Sequence, residues 1–183
     1  AAVLPARSVA CDVALPLLRA VGEGWHDGRF STAQEHLATA ELRGLIAALA
    51  RLHAVPDGAP RLLLATPPGE PHEVGTLAAA LLASGSGFQA WYFGPGLPAA
   101  DLVAAARRVA PRAVVLGYTG AAAPEALPAL VQLARGLPAA VECWIGGAGV
   151  TTPEAVQALG GERVRLLPDL DAFERELARL AGH

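Results

Sequence analysis

Two kinds of hydrophobic spacing divide the chain. From about residue 8 to 54 the apolar positions recur at helical intervals. Val13, Leu15, Leu17, Leu18 and Val21 predict a first helix from about Ser8 to Trp25, and Pro16 inside it predicts a kink or a later start. His26, Asp27, Gly28 and Arg29 read as a turn. A second helix opens at Ser31 or Thr32, because Gln34 follows the first and Glu35 the second at capping-box spacing. It continues through Leu37, Leu42, Leu45, Ile46 and Leu49, and a Pro/Gly-rich linker follows at Val55 to Pro60. Beyond the linker, short apolar runs alternate with helical patterns. The runs predict strands at Arg61 to Thr66, Phe88 to Phe93, Ala113 to Gly117, Val141 to Ile145 and Arg163 to Leu167. The helical patterns open near Glu73, Pro98, Pro124, Pro153 and Leu170. Non-alternating strands that each lead to a helix predict an α/β fold. Its doubly wound parallel sheet of five strands takes the flavodoxin-like order, preceded by a small helical unit. The expected division is a helical unit over 1–54 and a Rossmann-like domain over 61–183.

Composition narrows the function classes. The chain is 53% hydrophobic and 17% charged, which permits a large core in 183 residues. All 14 basic side chains are arginine, they form no run, and the net charge is −3, so this chain alone is a poor nucleic-acid binder. Two cysteines, Cys11 and Cys143, make no disulfide framework, and the composition reads as cytoplasmic. No apolar stretch reaches membrane-spanning length and no signal peptide is visible. There is no methionine, so the chain reads as a processed or cut piece whose missing beginning bears on its function.

Ligands of an open α/β sheet sit beyond the carboxyl ends of its strands, and three loops there carry candidate chemistry. The first runs from Thr66 to Gly75 and holds no G-x-G-x-x-G fingerprint and no P-loop. It offers Glu70-x-His72, followed by Val74 and Gly75 at a helix entrance. A neutral imidazole is a common metal ligand, and a carboxylate on its other nitrogen fixes the tautomer and raises its basicity. Gly75 would let a bulky ligand approach the backbone. An isolated E-x-H is more often a capping or packing histidine. The second loop is Leu116-Gly117-Tyr118-Thr119, and the third contains Gly146-Gly147, where small residues leave room for something flat or extended. Alone, the latter reads as a tight turn.

E-x-H-x-x-G after the first strand, with Gly-Gly after the fourth, resembles the cobalamin-binding domains of methionine synthase and the mutases. The resemblance covers residues 61 to 182. It implies that His72 replaces the cofactor's own base beneath the cobalt, and that the displaced base enters a slot beside the sheet. Glu70, His72, Val74, Gly75, Leu116, Gly117, Thr119, Gly146 and Gly147 would then contact the cofactor. Two departures stand out. Glu70 occupies the position of an aspartate, and Gly117-Tyr118-Thr119 stands where the family has S-x-L, which removes a hydroxyl expected to bond the base.

The amino-terminal helices are more specific. Trp25, nine residues and then Glu35-His36 resembles the signature of the CarH/LitR class of cobalamin photoreceptors, whose dark-state ligand is adenosylcobalamin. The resemblance implies that residues 1–54 form a cap over the upper corrin face. Trp25 would lie over the adenosyl group, with Glu35 and His36 lining that pocket. After illumination His26 would take the vacated cobalt position, giving the metal two protein ligands, His72 and His26. The class has a four-helix cap, whereas two helices are predicted here. The function so implied is a light sensor rather than an enzyme, acting through self-association (a homo-oligomer) or an output domain. The rivals are a corrinoid methyl-carrier or mutase-type subunit and a photoreceptor that also holds a bilin. No bilin-attaching cysteine is evident, although bilins also bind noncovalently. Zinc held by His26, Glu35, His36 and His72 lacks zinc-ligand spacing. Standing alone, Trp25 reads as a core tryptophan and Glu35-His36 as a solvated helix face.

Overall fold

In the computed structural model of the protein, residues 5–53, 55–119, 126–147, 149 and 163–182 are described. The strands are β1 (Arg61–Ala65), β2 (Gln89–Tyr92), β3 (Ala113–Gly117), β4 (Glu142–Gly146) and β5 (Val164–Leu167). All pair in parallel, in the order β2-β1-β3-β4-β5, which is the expected flavodoxin-like arrangement. The connecting helices are α3 (Val74–Gly85), α4 (Ala99–Val109), α5 (Ala126–Gly136) and α6 (Leu170–Ala181). The helix expected near Pro124 is described from Ala126, and the one expected near Pro153 lies outside the described residues.

Strand side chains alternate between two cores. Leu62, Leu64, Val115 and Trp144 face α3 and α6, while Leu63, Val114, Leu116 and Ile145 face α4 and α5. Both faces are covered, so the strands read as continuous apolar runs.

Two helices precede the sheet, α1 (Leu15–His26) and α2 (Thr32–Leu52). α1 is entered without a break from a π-helical segment, Ser8–Ala14, in which the Leu15 N–H reaches back to the Ala10 carbonyl. The regular α-helix thus begins at Leu15 with Pro16 in its first turn, the later start that the proline predicted, while the chain before it is already helical. The turn before it is widened, which relieves the clash between a proline ring and the preceding turn. Of the two candidate caps for α2, Ser31 serves. Its N–H donates to Gln34 Oε1 at 2.9 Å and its Oγ accepts the Gln34 N–H at 3.3 Å.

α3 is buried continuously from Thr76 to Ser84 because the sheet covers one side and the amino-terminal helices the other. Val9, Ala10, Ala14 and Ile46 join its core. Two contacts set the direction of α2. Arg43 bonds Glu73 at the start of α3, and a Cβ on Gly85 at the end of α3 would lie 3.7 Å from His53 Cε1. The helices thus run side by side in one sense. Residues 32–42 extend past the start of α3, beyond the carboxyl edge of the sheet, by about 16 Å at a rise of about 1.5 Å per residue.

Candidate cofactor site

The loop after β1 turns on a buried carboxylate. The Glu70 side chain is 0% exposed while that of His72 is 57% exposed, so the acid is sealed and the imidazole is open. Glu70 Oε1 accepts the His72 backbone N–H at 2.9 Å and meets His72 Nδ1 at 2.6 Å. Glu70 Oε2 accepts the Thr119 N–H at 2.8 Å and the Thr119 hydroxyl at 2.9 Å. A buried carboxylate needs such partners, since an unpaired one is strongly disfavoured. Burial pushes the Glu70 carboxyl up. Donation from the Thr119 and His72 N–H groups and both side chains outweighs that and holds it below the ordinary carboxylate range. Because the carboxylate can only accept, His72 Nδ1 carries the proton, and Nε2 keeps a lone pair for a ligand. The Thr66 hydroxyl donates to the Glu70 carbonyl at 2.7 Å and so fixes the loop to the end of β1.

Glycines shape the neighbouring surface for different reasons. A Cβ on Gly75 would meet nothing within 4 Å, so the space above it is free for a ligand. Gly147 has φ +101°, and a Cβ there would strike the Tyr118 carbonyl; the turn itself demands it. At Gly146 the nearest group to a Cβ is the Leu167 carbonyl at 3.6 Å, which leaves room. Gly117 pairs with Gly146 in the sheet register. Val74 is half-buried against the α3-side core. Leu116 is buried in the opposite core, so only its backbone is available to a ligand on the α3 side.

The residues expected to face the upper side lie on α1 and α2. Trp25 is 48% exposed, and its Nε1 donates to Thr32 Oγ1 at 3.3 Å. Glu35 meets His36 Nδ1 at 2.7 Å and accepts the Thr39 hydroxyl at 2.8 Å. His26 is exposed at the end of α1. The turn after it is held by Asp27 N–H to the Glu23 carbonyl and Phe30 N–H to the Gly24 carbonyl, both 2.9 Å. Thr32, His36, Thr39 and Arg43 share one stripe of α2 at i, i+4, i+7 and i+11 spacing. Arg43 ends that stripe at Glu73, 2.9 Å away and adjacent to His72. The stripe therefore leads from Trp25 to the loop that carries His72.

Sequence reasoning missed four participants: Glu73, Arg43, Tyr92 and Thr76. Glu73 receives Arg43 from α2 and the Tyr92 hydroxyl from β2. Burial, with that bond to a carboxylate, raises the Tyr92 hydroxyl far above its ordinary value. Nothing in the sequence pairs residues so distant. Thr76 is the fourth, and here a signal existed: it is a polar residue in the apolar run Val74-Gly75-Thr76-Leu77. Among the described residues no group of three or more His, Cys, Asp or Glu side chains could hold a metal ion. A single oriented imidazole instead fits a metal whose other ligands come from a macrocycle.

Comparison with known proteins agrees with this chemistry. The B12 binding domain family matches residues 1–50, the helical segment. The chain is 36% identical over 183 residues to the HTH-type transcriptional repressor CarH of Myxococcus xanthus, covering 99% of this chain and 58% of the repressor. It is 32% identical over 160 residues to the repressor CarA of the same organism, covering 87% of this chain and 54% of CarA. The chain thus spans little more than half the length of these relatives. The fold is shared with a cobalamin-binding protein from Desulfitobacterium hafniense (TM-score 0.57, 21% identity, 92% of this chain and 83% of that one). It is shared also with the monomethylamine corrinoid protein of Methanosarcina barkeri (TM-score 0.68, 16% identity, 96% and 84%). The chain is thus similar to CarH over 99% of its own length, matches the B12 binding domain family in residues 1–50, and shares its fold with proteins named for cobalamin or corrinoid.

Proposed function

We propose that the chain is a light-sensing cobalamin module of the cytoplasm, with residues 1–54 as a cap and 61–183 as the corrin-binding domain. The observation that carries this reading is the oriented His72, whose Nδ1 is held by buried Glu70 and whose ring is more than half exposed, three residues before the uncovered Gly75. Bound adenosylcobalamin would supply a cobalt–carbon bond that light cleaves. His72 would hold the metal through its free ring nitrogen. Trp25 offers a flat apolar face to the adenosyl group, and Glu35 and His36 offer hydrogen bonds to its polar edge. His26, exposed at the end of α1, would be a second imidazole available to the metal after illumination. Arg43 links α2 to Glu73, the neighbour of His72, so a shift of the cap is felt at the lower loop. Self-association or an attached output domain would read that shift, which fits the similarity to helix-turn-helix repressors.

Absorption spectra of the protein loaded with adenosylcobalamin in the dark, then illuminated, test the reading. The expected result is a dark spectrum with His72 in place of the cofactor's base, and a stable new spectrum after light. A photostable spectrum would defeat the light-sensing reading, and one with the cofactor's own base still on cobalt would defeat the assignment of His72.

A further inference from the structure

Among the described residues one buried side-chain polar atom has no hydrogen-bond partner: Thr76 Oγ1. Thr76 is 4% exposed, in the first turn of α3. A buried hydroxyl without a partner is disfavoured, and its persistence calls for an occupant of the adjacent space. That space is defined by Gly117. A Cβ on Gly117 would collide with Thr76 Oγ1 and lie 3.3 Å from Thr76 Cβ and 3.6 Å from Thr66 Cγ2. Gly117 is not among the glycines of positive φ, so its backbone does not require glycine. The Thr76 hydroxyl does. The two residues are a complementary pair, one withdrawing its side chain from the volume that the other fills.

The floor of this volume is also distinctive. Gly117 and Gly146 are register partners on neighbouring strands, so both present the α3 face of the sheet without a side chain. One step deeper on that face, Trp144 is 0% exposed and packs edge-on against Phe173 at 5.8 Å, which closes the space from below. The result is a flat floor, an apolar end and one unanswered hydroxyl.

We infer that Thr76 donates a hydrogen bond to the ring nitrogen of the cofactor's benzimidazole base, replacing from α3 the hydroxyl that Gly117 withholds from β3. The inference rests on the cobalamin reading and makes Thr76 a determinant of which lower base is accepted. A neutral aromatic acceptor matches a neutral donor at a slot with no charged group among its named walls.

Thr76→Val tests it, because the side chain keeps its shape and loses only the hydroxyl. The melting temperature of the cofactor-free protein should stay level or rise, since an unpartnered buried hydroxyl is gone. Affinity for hydroxocobalamin should fall by about fivefold or more, the worth of an ordinary hydrogen bond. Affinity for cobinamide, which has no base, should be unchanged. The double variant Thr76→Ala/Gly117→Ser should recover hydroxocobalamin binding, because the serine then occupies the vacated space. Unchanged hydroxocobalamin affinity in Thr76→Val, or equal loss for cobinamide, would overturn the assignment. If the wild-type spectrum shows the base still on cobalt, the His72 reading falls and this inference falls with it. A base-off spectrum with unchanged affinity in Thr76→Val would sink this inference alone.

Discussion

Among the described residues stand two glutamate–histidine pairs of nearly the same length, Glu70–His72 at 2.6 Å and Glu35–His36 at 2.7 Å. They differ in what surrounds the carboxylate. Glu70 is fully buried and takes four donations, two from the His72 loop and two from Thr119 on the far side of β3. Glu35 is one quarter exposed, and its further partner, Thr39, lies one turn along the same helix. His72 cannot turn without stripping a buried charge of a partner, which is strongly disfavoured. His36 is 73% exposed and can turn for the small energy of a surface pair. The first pair holds its imidazole at one angle. The second is built to adapt to whatever enters beside it.

The largest effect that breaks this comparison is loss of the anchored imidazole. His72→Ala should weaken cobalamin binding by about 100-fold or more, beyond the usual effect of disturbing an outer partner of a metal ligand. His36→Ala should change dark affinity only a few-fold. Spectral titration of both variants with hydroxocobalamin decides it, and equal losses would erase the distinction.

Glu70→Gln comes next. Affinity should fall by about 10- to 100-fold, because the tautomer of His72 is no longer fixed. Stability at neutral pH should fall by about 1–3 kcal/mol, since one amide cannot answer the donors that converge on two carboxylate oxygens. The sign with pH follows from the depressed Glu70 carboxyl. Such a group adds stability that is present above the unfolded carboxyl value of about 4.3 and is lost as pH falls through the lower folded value. The gap between wild type and variant should therefore be widest near neutrality and close in acid, as urea unfolding at a series of pH values would show. A gap that stays constant with pH would mean that the effect is not one of charge.

Much of this was legible in the chain because the signals were local. The five strands stand within a residue or two of their expected places, since uninterrupted apolar runs bounded by Gly and Pro have few other readings. Glu70 and His72 are two residues apart, so their pairing could be foreseen. Thr119 could not be foreseen as the second support of Glu70, because the contact spans 49 positions and depends on the β1–β3 register. Arg43 and Tyr92 on Glu73 were hidden for the same reason. Gly117 was read as a loss of a hydroxyl. Only the packing of α3 on the sheet shows Thr76 in the same volume.

Trp25→Ala sharpens the adaptable side. The indole is half exposed and makes one side-chain bond, to Thr32, so stability of the cofactor-free protein should move by less than about 0.5 kcal/mol. Its effect should appear in selectivity. Preference for adenosylcobalamin over hydroxocobalamin should fall by about three- to tenfold, the worth of one aromatic contact. Competition binding measures this, and an unchanged preference would remove Trp25 from the upper pocket.

The smallest effect in the dark should come from His26→Ala. His26 is exposed and takes part in no side-chain bond among the described residues, so dark affinity and stability should match wild type. Its consequence should be confined to the lit state. The backbone that carries it is pinned on both sides, by Asp27 to Glu23 and by Phe30 to Gly24, and a Cβ on Gly24 would collide with the Phe30 ring. If His26 is to reach a vacated cobalt position, it would have to do so by side-chain rotation with a rigid shift of the helices rather than by unravelling the turn. His36, the partner of Glu35, is the competing imidazole. If His26 is the ligand, illuminated His26→Ala should differ in spectrum from wild type and exchange added cyanide or imidazole faster, while illuminated His36→Ala should not. The reverse pattern would give the role to the loosely held pair, and the ease with which His36 can turn would then be the property that matters for light.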